Sequence, residues 1–143
     1  MSPQNVQANQ LITEATDEKF RSLIDQNLVG TYIIQDQTFV HVNEKFASLF
    51  GYEPEGIVNE IGPLDLTVPQ DRPPVQENIK KRLHGEQRSL QYSFEALKKN
   101  GNTFQAEVHG SRATYQGEPA IVGVIVNKNY SKTAEQAIQY LAM

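Results

Sequence analysis

The sequence contains no cysteine. Disulfides, thiolate catalysis, iron–sulfur clusters and cysteine-based zinc sites are therefore closed to it. Its histidines, His41, His84 and His109, lack the close i+2 or i+4 partners of a metal site, so no metal is expected. No glycine-rich cluster opens a helix, which removes phosphate-cradling loops. "HGSR" (109–112) lacks the Gly-x-Ser-x-Gly elbow that presents a nucleophilic serine. No apolar run approaches the roughly 18 residues of a membrane span. "MSPQNVQANQLITEAT" has neither the basic start nor the apolar stretch of a signal peptide. Basic stripes are missing too: net charge is −4, and the longest like-charge run is Lys80-Lys81-Arg82. No nucleic-acid footprint is expected from that balance. The expectation is a cytoplasmic chain without a membrane segment.

What remains is enough for one domain. Hydrophobic residues make up 38% of 143 positions, below the usual share of about 45–50%, which suggests polar ends around an ordinary core. Residues 1–15 are rich in Gln and Asn and are expected to form a flexible N-terminal segment. A helix follows from Thr16 or Asp17, with Phe20, Leu23, Ile24 and Leu28 on one apolar face. "TYIIQ" and "TFVHVN" are two short strands joined at Asp36-Gln37, where the usual hairpin glycine is missing and the turn type is left open. Asn43 is an N-cap for a short helix that presses Phe46, Leu49 and Phe50 inward and stops at Gly51. A longer helix begins near Asp71, tolerates Pro73 and Pro74 in its first turn, carries Val75, Ile79 and Leu83 at spacings of four, and ends at Gly85.

Alternation then marks three strands. Leu90, Tyr92, Phe94 and Ala96 alternate with polar residues, "NGN" (100–102) signals a hairpin, and Phe104, Ala106, Val108 and Gly110 alternate with Gln105, Glu107, His109 and Ser111. "PAIVGVIVN" is apolar on both faces, so it needs two covers: the core on one side, and the first helix or a partner subunit on the other. "SKTAEQAIQYLAM" starts a further helix with Ala134, Ala137 and Leu141 in heptad positions. The element order implies an α+β fold: one five-stranded antiparallel sheet with helices inserted between strands 2 and 3 covering one face.

These residues resemble the PAS domain family from about residue 16 to 135. "FRSLIDQNLVGTYIIQDQTFVHVNEKFASLFGYEPEGI" is similar to the family's first half, "PQDR" to its Pro-x-Asp-Arg before the F helix, and "KKNGNTFQAEVHGS" to its basic-Asp-Gly-x-x-Phe-x-x-Glu-Val segment. The resemblance implies a PAS domain over 16–130 and the start of a signalling helix over 131–143. Asn127, Lys128 and Asn129 stand where the family often has Asp-Ile-Thr, the residues that couple sheet to linker. It further implies a non-enzymatic sensor of two-component type, a homodimer through the N-terminal helix and last strand, and a downstream histidine kinase or GGDEF-type diguanylate cyclase not contained in this sequence.

No cofactor is expected. Photochemical flavin needs a cysteine, and non-covalent flavin has no specific motif here. At the position of the family's haem histidine stands Val75; His84, two turns on, reads as an exposed helix-end residue. An unknown small ligand is the open possibility. The alternation and the resemblance turn Leu90, Tyr92, Phe94, Ala106, Val108, Gly110, Ile121 and Gly123 toward the helices, with Phe46, Phe50, Ile57, Leu66, Ile79 and Leu83 closing over them. Small Ala106, Gly110 and Gly123 point to a ligand pocket; the aromatic residues point equally to a packed core that only supports dimerisation. A third reading, a cone-shaped α+β enzyme, would need Glu107 and His109 turned inward as an acid–base pair.

Overall fold

The computed structural model describes residues 3–128; the tail helix expected over 131–143 lies outside them. Strands β1 (Gly30–Gln35), β2 (Thr38–Val42), β3 (Ser89–Leu97), β4 (Thr103–Tyr115) and β5 (Glu118–Asn127) form one sheet in the order β2-β1-β5-β4-β3. All neighbours are antiparallel. The β1–β2 turn left open by the sequence has φ of 50° at Asp36 and 64° at Gln37. Both central residues are left-handed, the type I′ geometry whose twist suits adjoining strands, reached here without glycine.

Between β2 and β3 the chain forms helices α3 (Glu44–Phe50) and α4 (Arg72–Leu83), with short 3-10 turns at Pro54–Gly56, Pro63–Leu66 and Pro69–Asp71. Asn43 shows why the chain turns there. Its Oδ1 accepts from Phe46 N–H at 2.8 Å and from Thr31 N–H at 3.0 Å, while its Nδ2 donates to the Val29 carbonyl at 3.2 Å. One side chain therefore caps α3 and also ties it to β1. Gly51, at φ 83°, ends the helix in the left-handed conformation.

The segment 59–71 closes both sheet edges. Phe39 of β2 donates to the Ile61 carbonyl at 3.0 Å and accepts from Asn59 N–H at 2.8 Å. At the other edge, Val68 N–H donates to the Glu95 carbonyl at 3.1 Å, and Asp71 Oδ2 accepts from Glu95 N–H at 2.7 Å. Arg72 Nε donates to the Thr67 carbonyl at 3.1 Å. The "PQDR" segment thus clamps α4 onto β3 and occupies donors that an open edge would leave for another chain.

One expectation is corrected at the N-terminus. Residues expected to be flexible form helix α1 (Pro3–Ala15), whose Ala8 and Ile12 are buried against Ile33, Ala120 and Val122. Its polar composition hid an apolar stripe at Ala8, Leu11, Ile12 and Ala15, spaced i, i+3, i+4 and i+7. A 3-10 turn (Glu18–Phe20) and helix α2 (Arg21–Asp25) follow, packing Phe20 and Leu23 on Val124 and Val126. The outer cover that β5 required is therefore supplied by the chain's own helices α1 and α2 and the turn between them. No partner subunit is needed for it, and the strand no longer argues for a dimer.

Candidate functional site: the cavity between sheet and helices

The inner face of the sheet meets α3, α4 and the 3-10 turns in one core. Aromatic rings dominate it. Phe39 and Phe46 lie 5.0 Å apart between ring centres, Phe46 and Phe50 5.1 Å, and Phe50 and Phe104 5.2 Å. Such tilted contacts are the favoured geometry for aromatic neighbours. They fill most of the concavity and leave a cavity of about 30 Å³.

Of the expected residues, Phe46, Phe50, Leu66, Ile79, Tyr92, Phe94 and Val108 line this cavity. Ile57, Ala106 and Ile121 are buried in the same core without bordering the void. Two are corrected. Leu83 packs at the core's margin and lines a separate surface groove with His84, because α4 turns its neighbour inward instead. Leu90, opposite Gly110 near the start of the edge strand, is half-exposed and outside the core. Tyr32, Ile34, Phe39, Val75 and Ile125 line the cavity although the sequence reading did not select them.

The largest surprise is Arg82, only 1% exposed. Nε donates to the Asn78 carbonyl at 3.1 Å and Nη2 donates to Tyr92 Oη at 3.1 Å. The guanidinium carbon lies 5.4 Å from the centre of the Tyr92 ring. Nη1 is buried with no hydrogen-bond partner. Among the described residues no carboxylate pairs with this side chain. The sequence signal was present: Arg82 follows Val75 by seven and Ile79 by three, inside the apolar stripe of α4. Its place in the Lys80-Lys81-Arg82 run disguised it as part of a solvated face.

The small residues now have an explanation. A Cβ on Gly110 would collide with Arg82 Nη1 and stand 2.9 Å from Tyr32 Oη. A Cβ on Gly123 would collide first with the His109 carbonyl oxygen on the neighbouring strand and would stand 2.7 Å from the same hydroxyl. Both glycines clear space for the polar heads of Tyr32 and Arg82. Burial pushes the Tyr32 phenol up to about 12, with a weaker opposing pull from the Arg82 guanidinium. Tyr92 is raised by the same cause and opposed by the same charge. Both phenols therefore stay protonated and able to donate.

The other singled-out residues lie elsewhere. His109 and Glu107 face the outer side, as the alternation requires, but they are covered rather than solvated, with side chains 17% and 13% exposed. His109 Nε2 is 2.9 Å from Glu107 Oε2, and its ring packs 4.7 Å from Phe20. Ser111 bonds Ser89 across the hairpin at 2.9 Å. Asn127 is buried at the end of β5 opposite Ala106, and Lys128 N–H donates to the Gln105 carbonyl at 2.7 Å. Lys128 Nζ is 3.9 Å from Glu107 Oε1. Asn129 lies outside the described residues. Val75 is in the cavity wall, whereas His84 is exposed at the end of α4.

A family profile described as PAS fold matches residues 39–125, more than half of the chain. The chain belongs to the PAS fold family. Solved structures agree on the PAS fold. A sensory box histidine kinase/response regulator from Burkholderia thailandensis is 21% identical with TM-score 0.61, over 85% of this chain and 93% of that one. A Rhodobacter sphaeroides LOV protein is 20% identical with TM-score 0.64, over 85% and 71%. The PAS domain of a LuxR-family transcriptional regulator from Burkholderia thailandensis, in complex with ethanol, is 15% identical with TM-score 0.56, over 71% and 90%. No curated protein matches the sequence. No helix among the described residues of this PAS domain is long and apolar enough to cross a membrane.

The PAS cavity can be tested against the family's larger groups. Pockets for drug-sized ligands run to about 300–1,000 Å³, whereas this one is about 30 Å³ and walled by Phe46 and Phe50. A flavin ring or a haem does not fit the arrangement present. The residues fit a much smaller guest.

Proposed function

We propose that this PAS domain is a sensor module that takes a small ligand into the cavity between sheet and helices and regulates a downstream effector. The observation that carries this reading is the cavity itself: an apolar void with a buried polar cluster, Arg82, Tyr32 and Tyr92, on its wall. A core serving packing alone gains nothing from a buried cation. Small guests have a precedent in the fold, since the LuxR-family neighbour holds ethanol. The module itself performs no chemistry in this reading: the one hydrogen-bonded acid–base pair noted, His109 and Glu107, faces away from the cavity.

The effector is a histidine kinase or diguanylate cyclase, a choice supported on the kinase side by the sensory box neighbour. Coupling runs from the end of β5 through Asn127, Lys128 and Asn129. Homodimerisation is part of the proposal too, supported by the heptad spacing of Ala134, Ala137 and Leu141 in the sequence. A signal requires that the ligand bind two states of this unit unequally.

Native mass spectrometry of the chain taken directly from cell lysate, set against its denatured mass, tests the reading. An added small mass is expected. A bare chain mass, unchanged after incubation with a broad set of small metabolites, would remove ligand sensing and leave a packed domain.

A further inference from the structure

A guanidinium keeps its charge inside proteins, so a buried arginine cannot escape desolvation by losing a proton, as a lysine can. Arg82 is fully enclosed. Its partners are the Asn78 carbonyl and the Tyr92 hydroxyl, the Tyr32 hydroxyl lies beside it as well, all three are neutral, and Nη1 itself makes no hydrogen bond. An ion buried without an opposite charge is strongly unfavourable, and hydroxyl groups offset that cost only in part. The missing component is negative, and the free N–H groups of Nη1 mark where it belongs.

We propose that the ligand of this cavity is a small monoanion with a short apolar tail, a short-chain carboxylate such as acetate, propionate or butyrate, anchored by Arg82. The inference rests on the ligand-sensing reading above and specifies its chemistry. One positive charge calls for one negative charge; a dicarboxylate would bury a second charge with nothing to answer it. The phenols of Tyr32 and Tyr92 retain their protons and add O–H donors beside the guanidinium. Beyond this polar wall the lining is Phe46, Val75, Ile79, Val108 and Ile125, which suits an alkyl tail. Size points the same way. A water needs about 10–15 Å³ of such space, and the cavity offers about 30 Å³, room for about two or three waters, so the guest belongs among the smallest of these acids.

The test is isothermal titration of the full chain, at constant ionic strength, with sodium acetate, propionate and butyrate against the matching amides and alcohols, and with sodium chloride and nitrate. The carboxylates are expected to bind about tenfold or more tighter than their neutral counterparts, the usual advantage of a charge-assisted pair. Arg82→Gln should abolish that preference. Equal binding of amide and carboxylate would overturn the anion assignment and leave the sensing reading standing. Equal binding of chloride or nitrate would overturn the organic-acid assignment. No binding by any of the panel overturns the proposal, and a bare native mass in addition brings down the sensing reading with it. If Arg82→Gln does not fold, contacts in the wild-type chain between ¹³C-labelled propionate and the aromatic rings decide the matter by NMR. Contacts to Tyr92 and Phe46 support the site, and their absence with binding intact overturns it.

Discussion

Each face of the sheet carries basic side chains, and the two faces meet their charge differently. On the outer face, under Phe20, Glu107 stands between His109 at 2.9 Å and Lys128 at 3.9 Å. Any positive charge there has a carboxylate at hand. On the inner face, Arg82 is more deeply enclosed and has only neutral partners. The outer group is complete as it stands and reads as structure. The inner group is incomplete, and completing it from outside is what a ligand does. The two clusters thus take opposite roles according to whether their charges are answered.

Three experiments press on this contrast, the largest effect first. Phe46→Ala removes the ring that touches Tyr32, Phe39 and Phe50, and should lower unfolding free energy by about 3–5 kcal/mol in denaturant titration. A cost under about 1 kcal/mol would mean that the inner aromatic row is loosely packed and that the cavity is larger in solution.

The second is alkaline unfolding. The Tyr32 phenol sits at about 12 in the folded chain against 10.0 when unfolded. The folded state therefore holds its proton longer, and stability is complete below pH 10 and lost as pH rises through about 12. At 1.36 kcal/mol per unit the loss is about 2–3 kcal/mol. Tyr32→Phe should flatten the midpoint-against-pH curve in that window. An unchanged curve would place the steep term on another group.

The smallest effect belongs to the outer face. Glu107→Gln weakens a charge-assisted contact and should cost about 1.5 kcal/mol, read from the same denaturant titration. It should leave carboxylate binding untouched, whereas Arg82→Gln should affect binding first. Loss of binding in Glu107→Gln would join the two faces into one system and dissolve the contrast.

Most of the frame was legible in the sequence because it is written in local terms. Asn43 and Gly51 bracket α3 by capping chemistry that acts within one turn. Strand alternation placed Tyr92, Phe94, Ala106 and Val108 on the inner face correctly, since a pleated strand leaves no other choice. The same rule turned Glu107 and His109 outward. It did not foresee that Phe20 would cover them, because that contact joins residues nearly ninety positions apart in the chain.

The misses share one cause. Helix α1 has too few apolar residues to announce itself and too few turns to stand alone in water; it exists by lying on Ile33, Ala120 and Val122. Arg82 stands at a heptad-like spacing in α4, but the sequence reading took it only as part of a charge run. Gly110 and Gly123 were noticed as small, but what they make room for depends on a helix and a strand that meet only in the folded chain.

Sequence alone determined the order of elements from β1 to β5, the inward and outward phase of β3 and β4, the family resemblance and the exclusion of every cysteine-dependent chemistry. Those depend on covalent identity, backbone periodicity and hydrogen bonds that close within a few residues. Tertiary structure decided that the outer face is covered by the chain's own N-terminus, that aromatic rings reduce the concavity to a small void, and that Arg82 reaches this void without a counter-ion. Burial and charge balance are properties of three-dimensional neighbours, and a linear pattern carries no measure of either.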